Sequence, residues 1–311
     1  IEIPIYLLVF FCPMALGTAH LWSATVMLGL ALFSFFMLTV RRRRKHVDIK
    51  LFPMGLALVA AAGFTLLQLV PLPQAVAGLL NPGLAEVCSY VCAGTGLWGE
   101  GAFHPLSLDP PGTSHELVMF LAYALGFLVV VNYFNARHRA RRLMKMVAWS
   151  GFLVALIGFF SKLFVAQAIF GVHPVRPGTF FFSTFVNPNH LAGFLCLCSP
   201  VALGVGLSAR ERQDRALYGF MGVITGVAVF MSLSRGGMVA LSLGIIFLIF
   251  FSATRRSRRI RRVALVQAAA AGVLVLAGDL AYDTIIHELR TLGDARAIRE
   301  DIARAVPFYR G

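Results

Sequence analysis

Charge is scarce in this sequence, and acidic charge scarcest: Asp and Glu account for 14 of 311 residues, against 28 Lys and Arg. Polar helix faces are scarce too. Most of the long apolar runs have no side to turn toward water, which excludes a soluble core built from amphipathic helices. No HExxH, Walker A loop, Rossmann fingerprint or CxxC pair occurs, so the usual zinc-hydrolase, nucleotide-binding and thiol-redox signatures are missing. The five cysteines have no metal or redox spacing. Cys12, Cys196 and Cys198 fall in apolar runs, where cysteine behaves as a small hydrophobe. Cys88 and Cys92 could bridge in an oxidising compartment, but an i, i+4 pair on a helix is poorly placed for that bond.

What the chain does have is hydrophobic length. It is 58% hydrophobic with a mean hydropathy of +0.78, far above a soluble domain. Nine apolar runs are ended by charge clusters or by Pro, Gly and Asn: Ile3–Thr18, Trp22–Val40, Leu51–Val70, Leu117–Tyr133, Met146–Ala166, Leu191–Ser208, Ala216–Met231, Met238–Phe251 and Val263–Ala281. This is the pattern of an all-α polytopic membrane protein, about nine transmembrane helices in a bundle with short surface helices outside it. Residues 1–281 form the transmembrane domain, with a long outer loop at 71–116, and residues 282–311 begin a further large outer loop. The chain starts with Ile and stops at Arg310-Gly311, so both ends read as trimmed and the sequence as a fragment.

Basic residues set the orientation through the positive-inside rule. Arg41–Lys45 with Lys50, then Arg137, Arg139, Arg141, Arg142 and Lys145, then Arg210, Arg212 and Arg215, then Arg255, Arg256, Arg258, Arg259, Arg261 and Arg262 occupy alternate loops. These clusters hold 20 of the 28 basic residues, as a cytoplasmic N-terminus requires. The net charge of +14 is explained by topology and by contact with anionic membrane lipids, without nucleic acid. Basic residues on the opposite face go against this preference and are therefore the better site candidates.

Three outer segments carry polar detail. The first, 71–116, contains apolar stretches Ala75–Leu80 and Leu84–Val91, expected as short helices, and a Pro-rich end expected to run extended into the next span. The second runs from Gly171 to His190 and gathers Arg176, Asn187, Asn189 and His190 beside an aromatic run. Asn187 or Asn189 can cap the next helix, with Pro188 near its first turn. Capping explains one asparagine only. The remaining donors and rings suit hydroxyl-rich or phosphate ligands. The third comprises the turn Ser234-Arg235-Gly236-Gly237 and the charged tail after Tyr282. In the tail, Asp283–His287, Arg296–Glu300 and Glu300–Arg304 can neutralise one another at helical spacing.

Arg235 has no such local partner in the sequence. It sits between apolar runs with almost no loop, and an ionisable residue there is costly and marks a functional site by default. Gly236 and Gly237 let backbone amides approach an anion, and the following helix N-terminus adds its dipole. A guanidinium binds phosphate oxygens in pairs and stays charged, so a lipid-linked diphosphate fits the position. No carboxylate-rich metal site stands out on the outer side, which favours a metal-free mechanism with no cofactor.

Two motifs together carry a family resemblance. Phe185-Val-Asn187-Pro-Asn189-His190-Leu-Ala-Gly-Phe-Leu195, followed by Ser232-Leu-Ser234-Arg235-Gly-Gly237, resembles the O-antigen ligase and polymerase superfamily of bacterial membrane glycosyltransferases. Pro105-Leu-Ser-Leu-Asp109-Pro is similar to a segment of its ligase-like members. The resemblance implies an inverting, metal-independent transfer of a glycan from undecaprenyl diphosphate to an acceptor hydroxyl, on lipid A–core or a similar molecule. The active face would be the periplasmic side of the inner membrane. It implies that Arg235 binds the diphosphate, aided by a second arginine opening the large periplasmic loop. Arg296 and Arg299 are the candidates, though the family's tryptophan is absent from that stretch. Arg176, Asn187, Asn189, His190, Ser234 and Gly236 would line the substrate site. The family's catalytic histidine lies farther along the loop than Gly311, so His190, His173 and His287 do not inherit that role, and the fragment alone should not turn over. Two alternatives stand beside this reading: a polymerase that adds the glycan to another lipid-linked glycan, and a flippase or transporter of such lipids. A transporter tends to carry charges at mid-membrane, whereas here they gather at one face. A non-catalytic scaffold leaves Arg235 and the Asn/His group unexplained.

Overall fold

The computed structural model describes residues 1–46, 49–50, 53–91, 103–164, 168–171, 173–174 and 183–253. Ten α-helices carry this part of the chain: α1 (Glu2–Met14), α2 (Leu21–Arg44), α3 (Pro53–Leu69), α4 (Gln74–Leu80), α5 (Pro82–Val91), α6 (Pro110–Tyr133), α7 (Arg137–Leu163), α8 (Pro188–Leu207), α9 (Arg212–Met231) and α10 (Arg235–Ala253). The strands are short antiparallel pairs, β1 (Leu72–Pro73) with β2 (Phe103–His104) and β3 (Ala168–Ile169) with β4 (His173–Pro174). Of the nine apolar runs, five form helices long and apolar enough to cross a membrane: α2, α6, α7, α8 and α9. The helices α1, α3 and α10 are apolar but shorter. The ninth run, 263–281, lies outside the described residues. So do Cys92 and the tail ion pairs.

The chain divides into two compact units, Ile1–Leu143 and Met144–Gly311. In the first, α2 packs on α1 and α6, and α6 also packs on α3. One core cluster joins Ile5, Leu38, Val129, Tyr133 and Phe134, and a second joins Met27, Ala31 and Ala122. Glu2 ties the helix ends together. Its carboxylate accepts hydrogen bonds from the Tyr6 hydroxyl at 2.9 Å and the Tyr133 hydroxyl at 3.3 Å, and pairs with Arg142 at 2.7 Å. Helices α4 and α5 fall close to the stretches expected to form short helices.

The Pro-rich approach to α6 differs from the extended segment expected. Helix α6 starts at Pro110, seven residues before Leu117, because Asp109 caps it and accepts the Gly112 N–H at 3.1 Å. Proline at the first helical positions lacks only an N–H that has no helical acceptor there, and its fixed φ already suits the helix. Helix α7 likewise begins at Arg137, inside the basic cluster, because hydrogen bonding continues past the point where hydrophobicity stops.

The second unit is assembled on small residues. Gly222 of α9 abuts Leu203 of α8, and Gly206 of α8 abuts Gly219 and Tyr218 of α9, so these two helices run antiparallel. The Ser199 hydroxyl crosses between them to the Gly222 carbonyl at 2.7 Å. Helix α10 runs parallel to α8, with Gly237 against Ala192, Gly244 against Pro200 and Leu248 against Gly204. Gly151 of α7 closes on Cys198 and Thr225. Lipid tails compete with apolar side chains for every contact, so close backbone approach at glycine, alanine and serine is what selects one packing in a membrane.

Candidate functional site

The Arg235 turn is built by its own hydroxyls. Helix α9 ends when Leu233 takes φ = +57°, a left-handed conformation that a leucine adopts only under strain. That residue reverses the chain, and α10 begins two residues later. The Ser232 hydroxyl donates to the Val229 carbonyl at 2.6 Å and accepts the Ser234 N–H at 3.3 Å. Ser234 is the N-cap of α10: its hydroxyl accepts the Gly237 N–H at 3.3 Å, and its carbonyl accepts the Met238 N–H at 2.9 Å. Both serines are buried. Arg235, the first residue of α10, is exposed, and none of the described residues accepts a hydrogen bond from its guanidinium or pairs with it.

The start of α8 is built in the same way. Asn187, not Asn189, is the cap; its side chain accepts the Asn189 N–H at 2.8 Å, and Pro188 takes the first helical position. Its carbonyl accepts the N–H groups of His190 and Leu191, both at 3.1 Å. Asn187, Asn189 and His190 are exposed, while Leu191 and Ala192 are fully buried. The segment leading in is anchored to α7, where Ser183 donates to the Val154 carbonyl at 2.6 Å. Phe185 packs against Phe194 with ring centroids 5.6 Å apart. The Thr184 hydroxyl is fully buried and has no partner among the described residues.

Gly237 brings the two motifs together. Because its α-carbon lies against Ala192, the capped starts of α8 and α10 stand side by side and point the same way. Each N-terminus carries roughly half a positive charge and amides without helical acceptors, so the pair, with Arg235, forms an anion-attracting end of the bundle. The basic cluster occupies the other end. There Lys145 pairs with Asp214 at 3.2 Å and lies 5.2 Å from the centroid of the Tyr218 ring, while Arg215 donates to the Ala209 carbonyl at 3.2 Å. Twenty residues of α8 separate the ends, about 30 Å at 1.5 Å per residue. That length matches the hydrocarbon thickness of a bilayer.

Several sequence candidates have their positions refined. Gly236 is exposed in the first turn of α10. Gly237 is not an anion-facing glycine: its amide is taken by Ser234, and it is buried because α8 leaves no room for a side chain. Ser234 uses its lone pairs for capping and keeps a hydroxyl proton to give. Arg176, Arg296 and Arg299 lie outside the described residues. Among the described residues, no three His, Cys, Asp or Glu side chains gather as metal ligands, so the polar groups of this end are arginine, amides, Asn and His. Sequence reading missed Ala192, whose small size looks ordinary until Gly237 is placed against it. It also missed Thr184, which nothing in the local pattern distinguishes. No family model matches the chain, and no curated protein and no solved structure shows significant similarity to it.

Proposed function

We propose that this chain belongs to an O-antigen-ligase-like glycosyltransferase that takes a glycan from undecaprenyl diphosphate at the periplasmic face of the bacterial inner membrane. One observation carries the reading: Ser234–Gly236 and Asn187–His190 start parallel, touching helices, with an exposed arginine that no described residue neutralises. The geometry suits a donor whose isoprenoid tail lies along apolar helices and whose diphosphate meets the paired N-termini. In the reaction, an acceptor hydroxyl attacks the anomeric carbon as the bond from that carbon to the diphosphate oxygen breaks. Undecaprenyl diphosphate leaves with the electron pair, the configuration inverts, and the acceptor's proton passes to a base on the large periplasmic loop. Arg235 and the α8 and α10 amides stabilise the charge building on the leaving diphosphate. Arg296 or Arg299 would supply the second guanidinium. Asn187, Asn189, His190 and Arg176 would hold sugar hydroxyls or diphosphate oxygens. The topology completing this picture has nine spans, with the four basic clusters cytoplasmic.

The test uses the full-length protein in liposomes carrying undecaprenyl-diphosphate-linked glycan, with and without lipid A–core, beside its Arg235→Ala variant. Glycan arriving on lipid A–core, and lost in the variant, supports the ligase reading. Longer glycan still on the carrier makes the enzyme a polymerase. Glycan that crosses the bilayer unchanged, with no transfer to either acceptor, defeats the transferase reading in favour of transport.

A further inference from the structure

A hydroxyl in an apolar interior costs free energy unless it is hydrogen-bonded, and a membrane core offers no water to relieve it. The second unit meets this requirement repeatedly. Ser183, Ser199, Thr225 and Ser232 donate to backbone carbonyls at 2.6, 2.7, 2.8 and 2.6 Å, and Ser234 accepts the Gly237 N–H. Thr184 departs from it: the residue is 0% exposed, and its hydroxyl meets no partner among the described residues. Valine would fill the same space without that cost, so packing alone does not explain a threonine here.

Thr184 lies in a short strap, 183–186, that leads from the side of α7 into α8. Its neighbours are held, Ser183 on the Val154 carbonyl of α7 and Phe185 on the Phe194 ring of α8. Among the described residues, no group accepts a hydrogen bond from the backbone amides of Thr184 or Phe185, and Phe185 is itself buried. Two adjacent buried residues thus carry three donors without acceptors, one hydroxyl and two amides. Two of the three can only donate, so the set matches a ligand rich in acceptor oxygens and not a cation. Three residues take the chain from Thr184 to the Asn187 cap, at most about 11 Å when extended. The strap therefore stands at the same end of the unit as the α8 and α10 starts and Arg235. Its one hydrogen bond among the described residues is that of Ser183. A segment so lightly tied shifts locally at little cost, which is how an enclosed hydroxyl can reach a ligand.

We propose that the 183–186 strap grips a phosphate oxygen of the lipid-linked diphosphate, with the Thr184 hydroxyl and the Thr184 and Phe185 amides as its donors. The inference rests on the transferase reading and adds a binding element separate from Arg235. The arginine supplies charge on an exposed side chain, whereas the strap supplies neutral donors oriented by the backbone. An unpaired hydroxyl destabilises the empty protein, and bound diphosphate provides the missing acceptor.

The experiment uses the full-length protein in detergent micelles, titrated with farnesyl diphosphate as a short-chain lipid diphosphate or with inorganic diphosphate. Melting temperature without ligand and dissociation constant are measured for the native chain, Thr184→Val, Thr184→Ser and Arg235→Ala. Thr184→Val should melt at or above the native temperature when empty, yet bind farnesyl diphosphate about tenfold more weakly, the loss of one hydrogen bond to a charged group. Thr184→Ser keeps the hydroxyl and should bind like the native chain. A lower melting temperature for empty Thr184→Val would mean that the hydroxyl already has a partner, a trapped water included, and would overturn the proposal. Equal weakening in Thr184→Ser would trace the loss to packing and overturn it too. Native affinity in Thr184→Val, with binding lost in Arg235→Ala, would remove the strap from the site and leave the transferase reading standing. A native chain that does not bind farnesyl diphosphate would sink both. Inorganic diphosphate bound as tightly as the farnesyl ester would make the strap a small-anion site and defeat the lipid assignment.

Discussion

The packing of Gly237 against Ala192 can be tested without any assumption about function. A Cβ added at Gly237 would sit 2.5 Å from the Ala192 Cβ and 3.4 Å from the Ser234 Cβ and hydroxyl. Nonbonded carbons prefer about 3.5–4.0 Å, so the first contact is short by about 1 Å, while the others are tight but tolerable. The obstacle is a backbone-attached methyl that cannot rotate away, so Gly237→Ala must push α8 and α10 apart at the candidate site. Overpacking of this kind costs about 1–3 kcal/mol. Alanine's better helix propensity returns at most about 1 kcal/mol. The net expectation is a loss of up to about 2–3 kcal/mol, measured by unfolding in mixed micelles. Ala192→Gly vacates the space the new methyl needs, so the double variant should lose less than the sum of the two single variants, with a favourable coupling of about 1 kcal/mol or more. If Gly237→Ala is stabilising, or if the losses of the two substitutions simply add, the two helix starts do not touch as described. The anion-attracting end built on that contact would then fail with it.

Other outcomes follow from the same contacts. Ser234→Ala deletes the α10 cap and should cost about 0.5–2 kcal/mol in the same unfolding assay, with Ser234→Asp restoring most of it. Arg235→Ala should leave unfolding within about 0.5 kcal/mol of the native chain, because an exposed side chain with no described partner supports no fold. In the complete protein it should lower transfer by about ten- to a hundredfold, the worth of about 1.5–3 kcal/mol of charge-assisted hydrogen bonding. Unfolding as large as the activity loss would remove the case for a direct role. Burial pushes the Glu2 carboxyl up, but the Arg142 and Tyr6 hydrogen bonds outweigh it and hold the group below its ordinary value of 4.5. A depressed folded value means that stability is present above about pH 4.5 and is lost as pH falls through the folded pKa. Glu2→Gln should therefore flatten the acid limb of a stability–pH profile; an unchanged limb would show that other carboxylates set it.

Much of the local structure was legible because its causes are local. The Asn187-Pro188 start of α8 and the short helices near Ala75–Leu80 and Leu84–Val91 each depend on residues a few positions apart. The starts of α6 and α7 were not. Hydropathy marks where the apolar run begins, whereas the helix begins where the Asp109 side chain or the Ala136 carbonyl takes up a first-turn amide. Within the site, Arg235 was legible as a charge out of place. The roles of Ser232, Ser234 and Gly237 were not, since each is a capping or packing role that depends on where the chain turns.

The sequence by itself determined that this is a helical chain with helices apolar and long enough for a membrane. Hydrophobicity and charge asymmetry add up along the chain and need no partner to be read. Tertiary structure alone decided that Ala192 meets Gly237, that two capped helix starts share one end, and that Ser183 holds the approach to α8 against α7. Those outcomes rest on the fit of small residues and single hydrogen bonds between distant segments. A glycine or serine looks the same in sequence whether or not another helix lies against it.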